Sequence, residues 1–309
     1  VRHLTQISDV SNRDVERIFA HAREFEAVLD RRIKKVPALA GRTVGFLFIE
    51  PSTRTRVSFE LAARRLSADT VSLAASSSSL KKGETLTETA YTLAAMNVDC
   101  VVIRHQLEGA ATKLAQLDLF HVINGGDGAH EHPTQALLDA YCALKRFGSL
   151  EGKRVVIVGD IAHSRVARSG MQLWKRLGAD VVAIAPASML PPHLPDGVSL
   201  APEIDDAIGE ADILYFLRIQ RERLTESCFP SVAEYRRYYA LTRERLERIP
   251  ERAVIMHPGP VHVGVELDYE AVHHPQSLIN DQVRCGVAVR MAILADFIAG
   301  EGGGLEIPA

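Results

Sequence analysis

Cysteine is scarce in this chain, with four in 309 residues. Cys100, Cys142, Cys228 and Cys285 stand too far apart for a C-x-x-C zinc pattern or a dense disulfide framework. They read as ordinary buried thiols, and the cytoplasm is the expected compartment. Long apolar runs are also missing: none approaches the ~20 residues of a membrane span. The opening Val1-Arg2-His3-Leu4-Thr5-Gln6 has no signal-peptide pattern. Nor does one sign of charge dominate. With 36 Lys and Arg against 39 Asp and Glu, the net charge is −3. That excludes the broad basic surface of a general nucleic-acid binder but leaves room for a small cationic pocket. Two nucleotide signatures are absent. The run Val155-Val156-Ile157-Val158-Gly159-Asp160 opens like a dinucleotide fold, yet Ile161-Ala162-His163-Ser164-Arg165 follows in place of G-x-G-x-x-G, and there is no P-loop. His130-Glu131-His132 lacks the i,i+4 spacing of H-E-x-x-H and has no cysteine or carboxylate cluster beside it, so no metal is expected.

What is present is 47% hydrophobic and 24% charged residues over a length that suits two ordinary domains. The most informative stretch is Pro51-Ser52-Thr53-Arg54-Thr55-Arg56. A β-branched and aromatic run precedes it (residues 43–49, TVGFLFI), and a run with helical apolar spacing follows. It therefore sits at a strand-to-helix turn. Ser and Thr cap free N–H groups at such a start, and the helix dipole attracts anions there. Two arginines in a first turn work against that dipole unless an anion is bound between them. The alternative is a solvated helix start whose arginines pair with carboxylates elsewhere.

The rest of the chain alternates strand and helix. Ser11 is predicted to cap a helix over residues 13–31, with Asp14 completing a capping box. Strands are predicted at residues 43–49, 70–74, 99–104 and 121–123, with helices at 87–96 and 109–117. The second half repeats the rhythm, with strands at 153–159, 180–185, 212–217 and 252–257. Its helices are predicted at 134–147, 166–177 and 203–210, and a last one at 287–298. Alternation of this kind predicts an α/β protein of two doubly wound domains, each a parallel sheet flanked by helices, with the active site in the cleft between them. The expected boundaries are residues 1–136 and 137–283, with the C-terminal helix 284–299 packing back on the first domain and 300–309 a flexible tail.

Ligands of open parallel sheets collect at the carboxyl ends of the strands. After the four strands of the first half come Ser52 to Thr55, then a serine-rich loop with Lys81 and Lys82, then Arg104 and His105, then residues 124–135 (NGGDGAHEHPTQ). In the second half Arg165, then Arg218 and Gln220, then His257-Pro258-Gly259-Pro260 follow strands. Hydroxyl, amide and cationic groups thus fall on one edge of both sheets, which predicts a site for two anionic ligands. His132 precedes Pro133 and is held extended, suited to a side chain aimed rigidly. Each member also has a plainer reading: Lys81 and Lys82 as solvated charge, His132 as a hydrogen-bonded loop residue.

With these residues in place, the chain resembles the transcarbamoylases over essentially its full length. Ser52-Thr53-Arg54-Thr55-Arg56 and His132-Pro133-Thr134-Gln135 match the two motifs shared by that family. Lys82-Gly83-Glu84-Thr85, Arg218-Ile219-Gln220-Arg221-Glu222-Arg223 and Gly286-Val287-Ala288-Val289-Arg290-Met291-Ala292 resemble its aspartate-specific members. The resemblance implies that Ser52, Thr53, Arg54 and Thr55 bind the phosphate of carbamoyl phosphate. It implies that Arg104, His132 and Gln135 bind the carbamoyl end, with Thr55, Arg104 and His132 around the carbonyl oxygen. Arg165, Arg218 and Gln220 are implied to grip the carboxylates of L-aspartate, with Gly259 and Pro260 contributing backbone. Lys82 and a loop serine, Ser78 or Ser79, would reach a neighbouring subunit of a homotrimer. Regulatory chains or a dihydroorotase are further partners known in the family; nucleic acid and membrane are not expected partners. Two departures matter. Gly259 stands where some relatives carry Leu, and Cys285 stands where Asn is frequent, which leaves a local hydrogen bond in question. Arg290 matches an arginine whose family role is mainly structural.

The implied reaction is an early step of pyrimidine biosynthesis. Attack of an amine on the carbamoyl carbon creates an oxyanion, and its collapse releases phosphate. Fixed donors and two closely held reactants supply the catalysis. No covalent enzyme intermediate or cofactor is expected, and the proton acceptor stays open between substrate phosphate and His132. Residues 221–239 are the expected mobile loop. Arg54 is the expected phosphate ligand, and Arg56 the expected ion-paired support of the turn. An ornithine-specific member would carry His-Cys-Leu-Pro near residue 257 and carboxylates in the second domain. A non-catalytic homologue would have lost Arg104, His132 or Lys82.

Overall fold

A computed structural model describes residues 2–74, 83–219 and 231–300. The chain divides into two units, Val1–Leu138 with Val283–Ala309, and Asp139–Gln282.

The first unit holds strands β1 (His3–Leu4), β2 (Thr43–Phe48), β3 (Asp69–Ala74), β4 (Cys100–His105) and β5 (His121–Asp127). They form one sheet in the order β1-β5-β4-β2-β3, parallel throughout. Strands β2 and β4 are buried almost without interruption, as strands covered on both faces must be. Helices α1 (Asn12–Asp30), α2 (Thr53–Arg65), α3 (Leu86–Ala95), α4 (Ala110–Ala115) and α5 (Pro133–Phe147) follow the strands in turn. Ser11 caps α1 in a reciprocal box with Asp14, as its sequence predicts. Thr85 caps α3 in the same manner with Glu88.

The second unit holds β6 (Arg154–Val158), β7 (Asp180–Ile184), β8 (Val198–Leu200), β9 (Ile213–Phe216) and β10 (Val254–Met256), in the order β10-β9-β6-β7-β8, also parallel. Its helices are α6 (Arg165–Arg176), α7 (Val232–Tyr239), α8 (Arg243–Leu246) and α9 (Tyr269–Val272). Val156, Val158, Leu214, Phe216 and Ile255 form one core with Leu241 and Leu267. Buried Arg245 donates to the carbonyls of Arg236, Arg237 and Ala240 and to Asp205, tying the end of α7 to α8.

The last helix, α10 (Ile279–Ala299), is buried over nearly its whole second half. In the first unit Arg17 and Arg2 reach its buried Asp296, and the Arg290 guanidinium lies 5.1 Å from the centre of the Phe59 ring.

Several elements depart from the sequence expectation. Strands β1 and β8 were not predicted, because two- and three-residue edge strands carry no periodicity to read. Strand β5 continues through Asn124-Gly125-Gly126-Asp127, which reads as loop. It can do so because the Asn124 side chain donates to the Thr5 carbonyl and the Asp127 carboxylate. Residues 203–210 form two 3-10 turns, Ile204–Asp206 and Ile208–Glu210, rather than a helix; Ala207 between them leaves helical geometry at φ −127°. Helix α10 begins eight residues before the expected 287. Of the expected mobile loop, Val232–Tyr239 is helix α7, capped by Ser231, and residues 221–230 lie outside the described residues.

Candidate active site

Both sheets have the same switch point. In the first, the chain runs outward from β2 to β3 and then returns to β4 on the other side of β2. In the second, it runs outward from β6 through β7 to β8 and returns to β9 on the other side of β6. Adjacent strands that feed connections in opposite directions leave a crevice at their carboxyl ends. Ser52 to Thr55 follow β2, Arg165 follows β6 and Arg218 follows β9, while Arg104 is the last residue but one of β4.

At the first switch point Ser52 is the N-cap of α2, its hydroxyl accepting the Thr55 N–H at 3.4 Å. Thr53 and Arg54 are exposed in the first turn and Thr55 is buried. Arg56 pairs with Glu60 one turn along, at 2.8 Å. Burial raises the Glu60 carboxyl, but hydrogen bonds from Arg56 and Ser72 outweigh it and hold the group below its usual range. The two arginines of this turn thus differ in setting: Arg56 is half-buried and paired along the helix, and Arg54 is exposed.

Arg104 leaves the end of β4 and bridges its neighbours on both sides. One terminal nitrogen donates to Glu50 Oε1 at 2.7 Å and the other to the Gly125 carbonyl at 3.0 Å. Glu50 is itself fixed, because the backbone N–H groups of Ile49 and Glu50 both donate to the Arg104 carbonyl. A Cβ at Gly125 would stand 3.2 Å from the Ile103 carbonyl and 3.6 Å from the Thr55 methyl, so the missing side chain is what lets β5 lie against Thr55. Thr55, Arg104, Glu50 and Gly125 form one packed group.

His132 is placed by the turn that follows β5. Asp127 accepts from Asn124, from the N–H groups of Glu131 and Gly109, and faces the His130 ring. Pro133 then opens α5 at the first helical position, where its missing N–H is harmless, and the His132 carbonyl accepts from Gln135 and Ala136. His132 and Gln135 are both buried.

In the second unit Asp160, fully buried after β6, accepts from both the backbone and the ring Nδ1 of His163. That turn delivers Ser164 as the cap of α6 and buried Arg165 as its first residue. A Cβ at Gly159, where φ is +128°, would stand 3.0 Å from the Leu217 carbonyl, so β6 and β9 end in close approach. Half-buried Arg218 follows β9, and its Nε donates to His262 Nε2 at 3.2 Å. The His257 Nδ1 accepts the Gly259 N–H at 2.8 Å, which leaves its Nε2 proton for Glu266 Oε1 at 3.3 Å. Gly259 stands at φ +67°, joined by a cis peptide to exposed Pro260. The His257 N–H donates to Gln282, whose amide donates to Asp139, which also receives the Tyr215 hydroxyl at 2.6 Å. Burial, then the Asp139 charge, pushes the Tyr215 hydroxyl well up, so it stays a donor.

Ser78, Lys82 and Gln220 lie outside the described residues. Among the described residues no group of three or more His, Cys, Asp or Glu could hold a metal ion, and no helix is long and apolar enough to cross a membrane.

Comparison with known proteins accounts for both units. Residues 2–145 match the model of the aspartate/ornithine carbamoyltransferase carbamoyl-P binding domain, and residues 151–297 match that of the Asp/Orn binding domain. The chain belongs to the aspartate/ornithine carbamoyltransferase family. It is 47% identical over 304 residues to the aspartate carbamoyltransferase catalytic subunit of Salinispora arenicola, covering 97% of this chain and 99% of that one. It is 49% identical over 294 residues to the subunit of the same name from Pelotomaculum thermopropionicum, covering 95% of each. Among solved structures, the aspartate transcarbamoylase of Trypanosoma cruzi in complex with carbamoyl phosphate and aspartate superposes with a TM-score of 0.86 at 28% identity, over 96% of this chain and 97% of that one.

Three residues that contact the predicted ones carried no signal of their own in the sequence. Glu50 precedes the Ser52 turn as one carboxylate among many. Gly125 sits in a run that reads as loop. His262 is two residues past the Gly259-Pro260 turn and has no motif around it. The one available signal was position, since Glu50 directly follows a predicted strand.

Proposed function

We propose that the chain transfers the carbamoyl group of carbamoyl phosphate to the amino group of L-aspartate, giving N-carbamoyl-L-aspartate and phosphate. The observation that carries this reading is the presence of arginines at both switch points: Arg54 and Arg104 in one unit, Arg165 and Arg218 in the other. A phosphate donor and a dicarboxylate acceptor use such a set. An acceptor with a second amine, such as ornithine, would be matched by carboxylates in the second unit instead.

In this reading residues 1–136 with helix 284–299 take the donor, and residues 137–283 take the acceptor. The phosphate sits at the start of α2 on Ser52, Thr53, Arg54 and Thr55, where backbone N–H groups and the helix dipole favour it. Lys82 and Ser78 or Ser79 arrive from a neighbouring subunit of a homotrimer. Arg104, Thr55 and His132 surround the carbonyl oxygen, and Gln135 holds the carbamoyl end. Glu50 keeps the Arg104 plane oriented, so docking of the carbonyl replaces part of an existing set of contacts rather than ordering a loose side chain. Arg165, Arg218 and Gln220 hold the two carboxylates beside the backbone of Gly259 and Pro260.

The neutral amine of aspartate attacks the carbamoyl carbon. A C–N bond forms, and the carbonyl oxygen takes up negative charge facing its donors. Collapse restores the carbonyl and breaks the C–O bond, and phosphate leaves with the electron pair. The amine proton passes to the leaving phosphate or to His132, and no covalent enzyme intermediate forms. The reaction serves pyrimidine biosynthesis in the cytoplasm. The test is the purified chain with carbamoyl phosphate and a panel of amino acids. Carbamoylated aspartate is the expected product, and turnover of ornithine but not aspartate overturns the reading. For the trimer, mixing inactive Lys82→Ala and Arg54→Ala chains should restore activity, and verified mixed trimers without any would refute shared sites.

A further inference from the structure

We propose that His262 is a positioning residue for the acceptor amino acid: as a neutral imidazole it holds Arg218 by Nε and aims its guanidinium at an acceptor carboxylate. This rests on the reading that Arg218 takes that carboxylate.

An arginine Nε–H can only donate, so the His262 Nε2 it meets at 3.2 Å carries a lone pair, and the ring proton is on Nδ1. A hydrogen bond at Nε fixes the plane of the guanidinium and with it the direction of the terminal N–H fork. The partner matters as much as the bond. Arg104 in the first unit is oriented by the carboxylate of Glu50 at 2.7 Å, which neutralises much of its charge. His262 orients Arg218 without contributing any negative charge, so this contact leaves the guanidinium cationic toward an incoming anion.

His262 is in turn held in place. Its backbone N–H donates to Glu266 Oε1 at 2.9 Å, the same oxygen that receives His257 Nε2 at 3.3 Å. The other ring nitrogen of His257 takes the Gly259 N–H. One fully buried carboxylate therefore sets both the Gly259-Pro260 turn and the residue that aims Arg218. Val261 between them packs on the core of the second unit. His262 thus links Arg218 at the end of β9 to Glu266 in its own loop.

Donor binding in the first unit has no part in this contact.

The experiment measures KM for L-aspartate at saturating carbamoyl phosphate, and KM for carbamoyl phosphate at saturating aspartate, for the full chain and for His262→Ala and His262→Gln. Wild-type turnover of aspartate is recorded first. At pH 8, His262→Ala is expected to raise KM for aspartate about 10- to 100-fold, the loss of one charge-assisted hydrogen bond, with kcat and the carbamoyl phosphate KM within about 3-fold. His262→Gln, whose amide oxygen can accept from Arg218, is expected to recover most of that loss. An unchanged aspartate KM in His262→Ala overturns the proposal. So does an equal rise in both KM values, or a glutamine variant no better than alanine. A folding defect separates from all of these, since it lowers the active fraction and leaves KM alone. A wild-type chain that does not carbamoylate aspartate refutes the reading of the reaction itself, and this inference with it.

Discussion

The two units solve one architectural problem in the same way and one electrostatic problem differently. Each is a five-stranded parallel sheet that returns across its first inner strand, and each sets an arginine at the carboxyl end of the strand made on that return, Arg104 within the end of β4 and Arg218 just after β9. Arg104 is held by an anion and a peptide carbonyl, Glu50 and Gly125. Arg218 is held by a neutral ring, His262. A guanidinium oriented by a carboxylate is compensated before any ligand arrives, so a new partner must compete with the old one. One oriented by an imidazole takes no negative charge from that contact. The first arrangement suits a group that must meet an oxygen whose charge appears only in the transition state. The second suits a group that must bind a carboxylate charged from the outset.

The comparison can be broken by removing its two arginines. Arg104→Ala should lower kcat/KM about 10³-fold, the range for losing a preorganised donor to a developing oxyanion, mostly through kcat. Arg218→Ala should raise KM for aspartate about 10²-fold while carbamoyl phosphate KM stays near wild type. Steady-state kinetics with each substrate varied separates them, and two variants with the same pattern would end the distinction between the units.

Close approach at the two switch points gives the next largest effect. Gly159→Ala meets Leu217 at 3.0 Å in a left-handed backbone and should cost about 2 kcal/mol. Gly125→Ala meets the Ile103 carbonyl at 3.2 Å with ordinary backbone room and should cost about 1 kcal/mol. Urea unfolding reads both, and a reversed order would show that β5 rather than β6 is the more tightly packed edge.

Effects of comparable size test the ion pairs of the first unit. Asp296→Asn removes the buried carboxylate charge that Arg17 and Arg2 share and should destabilise by about 2 kcal/mol without moving KM for aspartate. Burial raises the Asp14 carboxyl, but the Ser11 hydrogen bonds and Arg17 outweigh it and hold it well below the ordinary 3.8. Its contribution is therefore full above that value and is lost as the pH falls below it. Asp14→Asn should cost about 1 kcal/mol at neutral pH, and its difference from wild type should shrink in acid. A difference that persists at low pH would remove the carboxylate from the account.

Much of this molecule was legible before any coordinates. The Ser11–Asp14 box and the Ser52 cap were readable because capping is a contact between residues three apart. The larger inner strands were readable because strands buried on both faces are runs of β-branched residues. The rule that ligands gather at strand ends then brought Arg104, Arg165 and Arg218 into one list. The edge strands β1 and β8 escaped, as did the extension of β5 through two glycines, because pairing with a neighbour and not residue preference makes them strands.

Local chemistry along the chain therefore sufficed for the α/β class, the helix start at Ser52, and the identity of the cationic residues that follow strands, since all of these depend on neighbours within a few positions. The strand order, and with it the switch points beside β2–β4 and β6–β9, was decided only in the folded chain. So were the partners of the two arginines. Glu50 and Arg104 are 54 residues apart, and Arg218 and His262 are 44 apart. Contacts at that separation depend on which strands lie side by side, and no periodicity or cap in the sequence encodes that choice.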